Sequence, residues 1–224
     1  MPLAAKAMLL TSMDVDPSDE ADFNRWYDRE HLRERVAIEG FLEARRYVAH
    51  RASPKYFCLY STATFEVLDS PAYRVALINP TDWSKKNLAR FKNMIRAIAR
   101  VTISRGHGRG AALGVVRLRA ASGTEDRLRA AIGEKLYPEQ FDGVVSMHLI
   151  ESDPRLSKPL TDDPPVSDPG AGDWFVLIDA INLNAVSAAI AARFVEPDFA
   201  RGTLVSTGSY DLMWDLARSD IRSF

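Results

Sequence analysis

The sequence predicts an α+β protein built from two tandem β-α-β-β-α-β units. Three observations carry this reading. One order of strand-like and helix-like periodicities occurs twice, a Gly-rich junction separates the two runs, and 224 residues suffice for two small cores. Hydrophobic residues make up 46% and charged residues 26%, the balance of an ordinary globular chain.

Residues 6–13, KAMLLTSM, read as the first strand. Residues 18–36 read as one amphipathic helix, with Ser18 as N-cap and Asp19, Glu20 and Asp22 where carboxylates favour the helix dipole. Gly40 to Ala49 and Tyr56 to Phe65 are strands joined by a hairpin-length turn. Ser70-Pro71 opens a short helix, and Pro80-Thr81-Asp82 opens another. On the latter, Leu88, Phe91, Met94, Ile95 and Ile98 recur at the helical period. Arg100 to Ser104 completes the unit as a strand.

Gly106-His107-Gly108-Arg109-Gly110 is the linker, and the order then recurs. Leu113 to Arg119 is a strand, Thr124 to about Leu136 a helix, and Val144 to Glu151 and Trp174 to Ile181 are strands. Ala185 to Phe194 is a helix and Thr203 to Trp214 the last strand. Split units of this order are ferredoxin-like, and two in tandem let each four-stranded sheet bury its open face against the other. The division falls at 1–108 and 109–224. Charge supports the pairing: the first unit holds seventeen basic against thirteen acidic residues, the second twelve against seventeen. The Pro-rich stretch 152–173 is too long for a simple hairpin and reads equally as a functional lid or a disordered connection.

A net charge of -1 gives no reason to expect nucleic acid or an anionic membrane as partner. The acid-free run holding Lys85, Lys86, Arg90, Lys92, Arg96, Arg100, Arg105 and Arg109 reads as a solvated helix face. The lone cysteine, Cys58, rules out an intramolecular disulfide and fits a reducing compartment. The apolar run at the N-terminus is too short to span a bilayer, so the expected location is cytoplasmic.

The segment Phe23-Asn24-Arg25-Trp26-Tyr27-Asp28-Arg29-Glu30-His31-Leu32 carries the chemistry. At about 100° per residue, Phe23, Trp26, Tyr27, Glu30, His31 and Glu34 fall on or near one helix face. A pocket for a small molecule needs that mixture of flat apolar walls and a few polar groups. His31 is the candidate proton-transfer group, with Glu30 or Asp28 to orient it; the competing role is packing near the helix end. Trp26 and Tyr27 line a pocket or fill the core. Arg46 and Tyr47 alternate across their strand, so one faces the helices and the other the opposite side. A buried Arg46 would hold an enolate or other oxyanion, or else pair with Glu43 or an acid of the second unit. Tyr60 shares a strand face with Tyr56 and Cys58, and the thiol reads as buried and inert.

These residues resemble a known family. The run Phe23-Asn24-x-Trp26-Tyr27-x-x-Glu30-His31-Leu32, then Gly40-Phe41-Leu42 and Arg45-Arg46-Tyr47, is similar to the EthD-like branch of the dimeric α/β-barrel superfamily. Phe57-Cys58-Leu59-Tyr60, Ser70-Pro71-Ala72-Tyr73 and Pro80-Thr81-x-Trp83 continue the likeness, which covers roughly residues 5–105. The second unit resembles the fold by pattern alone, and its matching helix reads Glu125-Asp126-Arg127-Leu128-Arg129, so one site per chain is expected. The resemblance implies an intrachain dimeric α/β barrel with a pocket between helices and sheet. It further implies an aromatic or polyketide-like ligand and monooxygenase or cyclase chemistry without a cofactor. Further self-association of the chain is compatible with it. The competing reading is a non-catalytic small-ligand-binding or interaction module of the same fold.

Cofactors are not expected. His31, His50, His107 and His148 are scattered without metal-ligand spacing, and Gly106 to Gly110 lacks the spacing and following helix of a phosphate loop. The helices of the second unit carry no histidine to serve as an axial haem ligand.

Overall fold

A computed structural model describes residues 5–158, 171–196 and 199–221. Its strands are β1 (Ala7–Asp14), β2 (Phe41–Arg51), β3 (Tyr56–Thr62), β4 (Lys92–Gly106), β5 (Ala112–Leu118), β6 (Val144–Ser152), β7 (Trp174–Ala180) and β8 (Leu204–Ala217). Each half has the ferredoxin-like strand order, β4-β1-β3-β2 and β8-β5-β7-β6. The halves meet edge to edge as well as face to face. Antiparallel pairing of β2 with β8 and of β4 with β6 closes one eight-stranded barrel within a single chain. Closure satisfies the strand edges that a lone half would expose.

The helices pack outside this barrel. In the first half α1 (Glu20–Trp26), a π-helical turn (Tyr27–His31) and α2 (Leu32–Ala37) run on as one segment. Its N-cap is Asp19 rather than Ser18. Next come α3 (Pro71–Ile78), whose Ser70 hydroxyl accepts from the Tyr73 amide, and α4 (Asp82–Leu88), whose Thr81 hydroxyl accepts from the Ser84 amide. The second half contributes α5 (Glu125–Gly133) and α6 (Leu183–Arg193), the latter capped by Asn182.

Two expectations are corrected here. The helix opening at Thr81 does not continue to Ile98: it ends at Leu88, and β4 starts at Lys92 beside Asn93, whose φ is +52°. Ile95 packs against the barrel interior while Ile98 packs under the helices, so this strand is apolar on both faces and imitates a helical period. Of the basic run only Lys85 and Lys86 lie on a helix, where they are exposed as expected. Lys92, Arg96, Arg100 and Arg105 belong to β4, and Arg96 is buried. Most of the Pro-rich stretch, residues 159–170, lies outside the described residues, so neither reading of it is carried further.

Strand alternation sorts the core into layers. Met8, Leu10, Tyr47, Phe57, Leu59, Leu113 and Phe175 fill the barrel. Phe23, Trp26, Tyr27, Leu32, Phe41, Cys58 and Tyr60 form the helix–sheet layer of the first half. Val116, Ile132, Leu136, Trp174 and Val186 form that of the second. No helix among the described residues is long and apolar enough to cross a membrane.

Candidate functional site

The helix–sheet layer of the first half holds a cluster of polar side chains. One rung across the sheet consists of Arg96, Thr11, Cys58, Arg46 and Trp214, in that strand order. In the next rung facing the helices, Tyr60 stands between Leu9 and Ala44. Above them lies the π-helical turn, where the Leu32 amide donates to the Tyr27 carbonyl five residues back. Such wide turns are rare and occur often at functional sites. Here the turn directs both Tyr27 and His31 toward the sheet. The His31 ring lies 4.3 Å from that of Trp26, 5.0 Å edge-on from Tyr27 and 6.4 Å perpendicular to Tyr60.

Arg46 turns toward the helices and Tyr47 toward the barrel interior. The Arg46 guanidinium is 0% exposed and lies 4.4 Å from the Tyr27 ring centroid. It donates through Nη1 to Asp28 Oδ1 at 3.0 Å and through Nη2 to Asn24 Oδ1 at 2.5 Å. Asp28 Oδ1 also accepts from Trp214 Nε1 at 2.9 Å, so the second half supplies a residue to this site. Glu43 is not the partner of Arg46; it points the other way and pairs with Arg109.

Trp26, Tyr27, His31, Arg46 and Tyr60 are thus brought together, and Glu30 is not. Its carboxylate accepts from the Thr81 and Ser84 hydroxyls at 2.6 and 3.2 Å, and the Ser84 oxygen accepts from Trp26 Nε1 at 3.0 Å. Glu30 fastens α4 against the first helical segment and acts on the site through Trp26. Asp28 serves Arg46 rather than orienting His31. Sequence reasoning missed Thr11, Asn24 and Trp214. Asn24 and Asp28 are spaced i, i+4, a legible pair, whereas nothing near Trp214 announced a contact made across a strand seam.

Thr11 Oγ1, His31 Nδ1, Arg46 Nε and Tyr60 OH are all buried in this layer with no hydrogen bond of good geometry among the described residues, although Tyr60 neighbours Tyr27, and Thr11 and Arg46 neighbour the Cys58 sulfur. The Cys58 thiol lies beside Thr11, Tyr27 and Arg46 but hydrogen-bonds only weakly. Burial, reinforced by the charges of Arg35 and Arg46, holds the His31 imidazole well below its usual range. Burial also raises Tyr27 and Tyr60 well above the ordinary phenol and pushes Cys58 up to about 11. At neutral pH the layer therefore presents a neutral imidazole, neutral phenols, an unreactive thiol and a permanent guanidinium.

Two clefts flank the layers. One, of about 390 Å³, is lined by Asp28, Arg29, Arg33, Trp214 and Leu216, so the carboxylate that accepts from Arg46 stands in its wall. The other, of about 540 Å³, lies by the β4–β6 seam, between Arg100 of the first half and Arg129, Glu151 and Trp174 of the second. There Arg129 is paired with Glu151 at 2.6 Å.

No family model and no curated protein sequence matches the chain significantly. Solved structures do. An anthrone oxidase-like protein superposes with a TM-score of 0.68 at 9% identity, covering 99% of this chain and 97% of the other. A putative monooxygenase from Fusobacterium nucleatum gives 0.58 at 9% identity with 96% of each chain covered. The chain has the dimeric α/β-barrel fold. A putative chlorite dismutase, at 0.54 and 10% identity over 94% of this chain and 96% of its own, shares the same architecture. In this protein one chain supplies both ferredoxin-like units, and the polar cluster lies on the first of them.

Proposed function

We propose that the protein is an EthD-like enzyme without a cofactor, acting on a small aromatic or polyketide-like compound with an acidic phenol, enol or C–H group. The observation that supports this best is the set of four buried polar atoms around the motif helix that lack a well-formed hydrogen bond among the described residues, Thr11 Oγ1, His31 Nδ1, Arg46 Nε and Tyr60 OH. Each buried polar group left unpaired costs about 1–3 kcal/mol, and a layer serving only as core has no use for four. A ligand oxygen placed among them would satisfy several at once.

In this reading neutral His31 accepts the substrate proton and becomes imidazolium. Arg46 and the Tyr60 hydroxyl hold the enolate or phenolate that remains. With dioxygen as co-substrate, the carbanion carbon of an anthrone-like compound takes up oxygen to give a hydroperoxide. Loss of water then leaves the quinone, so that one dioxygen yields one carbonyl oxygen and one water. The monooxygenase and anthrone oxidase-like names of the structural neighbours support the choice of anthrone as first substrate.

Oxygen uptake and quinone absorbance with anthrone test the proposal. His31→Ala is expected to lower kcat by about 10²–10⁴-fold. Unchanged turnover in that variant would remove His31 from catalysis. The second reading, a binding module, draws support from Trp26 and Tyr27, which at 0% and 1% exposure serve as core. It requires ligand binding without turnover in the same assay.

A further inference from the structure

The cleft of about 390 Å³ outside the buried layer has an apolar floor and an unanswered positive charge. Its volume is that of a small-molecule site. Trp214 and Leu216 of β8, with Ile221 just beyond, make the floor: each also packs against the helix–sheet core of the first half. The Trp214 indole is held in place, because its Nε1 donates to Asp28 Oδ1 at 2.9 Å. Arg29 of the π-helical turn and Arg33 of α2 line the same cleft. Both are exposed, and neither side chain has a hydrogen bond or ion pair among the described residues.

The neighbouring acids do not answer these two cations. Asp28 is taken by Arg46 and Trp214. Asp220 accepts from the Ala217 amide at 3.1 Å and the Ser219 hydroxyl at 3.5 Å, which fixes the turn after β8. Glu30 accepts from Thr81 and Ser84 of the α4 region, and Glu34 feels Arg35 rather than Arg33. Like charges four residues apart on a helical surface repel and disfavour the helix. An anion between the two guanidiniums removes that repulsion, and their planar forks suit a carboxylate. The indole and aliphatic floor beside them suits a flat aromatic ring.

We infer that this cleft binds an aromatic carboxylate, its ring on Trp214, Leu216 and Ile221 and its carboxylate between Arg29 and Arg33. The site goes beyond the proposed reaction and does not depend on it. It lies outside the buried layer yet only one side chain away, because Asp28 Oδ1 accepts from both Trp214 and Arg46.

The test is titration with 2-naphthoate and with 2-naphthalenemethanol, its uncharged counterpart. Binding is followed by calorimetry and by the Trp214 indole N–H signal in NMR, assigned with Trp214→Phe. Wild type is expected to bind the acid about tenfold more tightly than the alcohol at low salt, and with less preference at high salt. The Trp214 signal should shift as the acid saturates the protein. The double variant Arg29→Gln/Arg33→Gln should lose the preference and keep the alcohol's affinity. Its melting temperature should not fall, since both side chains are exposed. The proposal is overturned if neither compound binds or if wild type shows no preference. It is equally overturned if the preference survives in the double variant, or if the Trp214 signal stays still while the acid binds. A chain ending at Ile221 should bind as wild type does; binding by that form alone would give the cleft to the chain's own terminus instead. Anthrone oxidation forms no part of this readout, so the cleft and the proposed reaction can fail independently.

Discussion

His31 illustrates how position alone sets the chemistry of a residue. Burial and two neighbouring arginines make its protonation unfavourable in the folded state, while in the unfolded chain it titrates near 6.5. As pH falls below about 6.5 the unfolded chain takes up a proton that the folded chain refuses. Stability is therefore complete above that pH and is lost on acidification toward the depressed folded value. His148, lowered first of all by its own burial, adds a second loss of the same sign. Urea denaturation at pH 7.5 and 5.5 should show wild-type stability falling, by up to about 1.4 kcal/mol per pH unit for each histidine. His31→Gln should remove roughly half of that slope, and an identical slope in the variant would show that His31 is protonated freely in the fold. The helical period made the grouping of His31 with Trp26 and Tyr27 legible, whereas strand alternation left open whether Arg46 or Tyr47 faces them. Glu30 was misplaced because the turn it occupies is π-helical, and that turn carries its side chain toward α4.

Among the elements, those with capping residues or a Gly-rich boundary were legible, and β4 was not. Its residues Met94, Ile95 and Ile98 satisfy a helical spacing by accident, because a strand covered on both faces needs no alternation. The linker was recognised by its glycines, yet they do different work. Gly108 has a φ of +86° and open space where a Cβ would stand. Gly110 has no such backbone demand, but its Cβ would lie 1.8 Å from the Ala180 carbonyl oxygen at the end of β7. Gly108→Ala should therefore cost only the left-handed backbone penalty, about 1–2 kcal/mol. Gly110→Ala forces linker and strand apart, and overpacking of that kind costs about 1–3 kcal/mol or more. It should also disturb Arg45, which donates to the Gly110 carbonyl at 3.0 Å. Denaturation midpoints of the two variants would decide this, and Gly108→Ala as the more damaging change would refute the steric account.

At the scale of the molecule, the repeated element order announced two units, but their union depends on contacts between residues far apart in sequence. Arg45 of β2 meets Asp179 of β7 at 2.8 Å, and Glu43 of β2 pairs with the part-exposed Arg109 of the linker, so ion pairs of β2 tie one half to the other. No local pattern encodes such a pair, since each partner reads alone as an ordinary polar position on a strand. Taking both charges out of water offsets much of their attraction, so the pair matters less for net stability than for what happens when it is split. Asp179→Leu leaves Arg45 charged and buried and should cost about 3–5 kcal/mol; Arg45→Met strands Asp179 at a similar cost. The double variant replaces the pair by apolar groups and should lose far less than the sum of the two, down to near-neutral. Urea unfolding of all four proteins measures the cycle. Additive losses would mean that the two residues act independently and that the barrel is held by its β2–β8 and β4–β6 ladders alone. Because those seams join both halves, every variant should still unfold in one transition. A second transition appearing in a single variant would show that the halves keep separate cores and that the buried pair makes them cooperate.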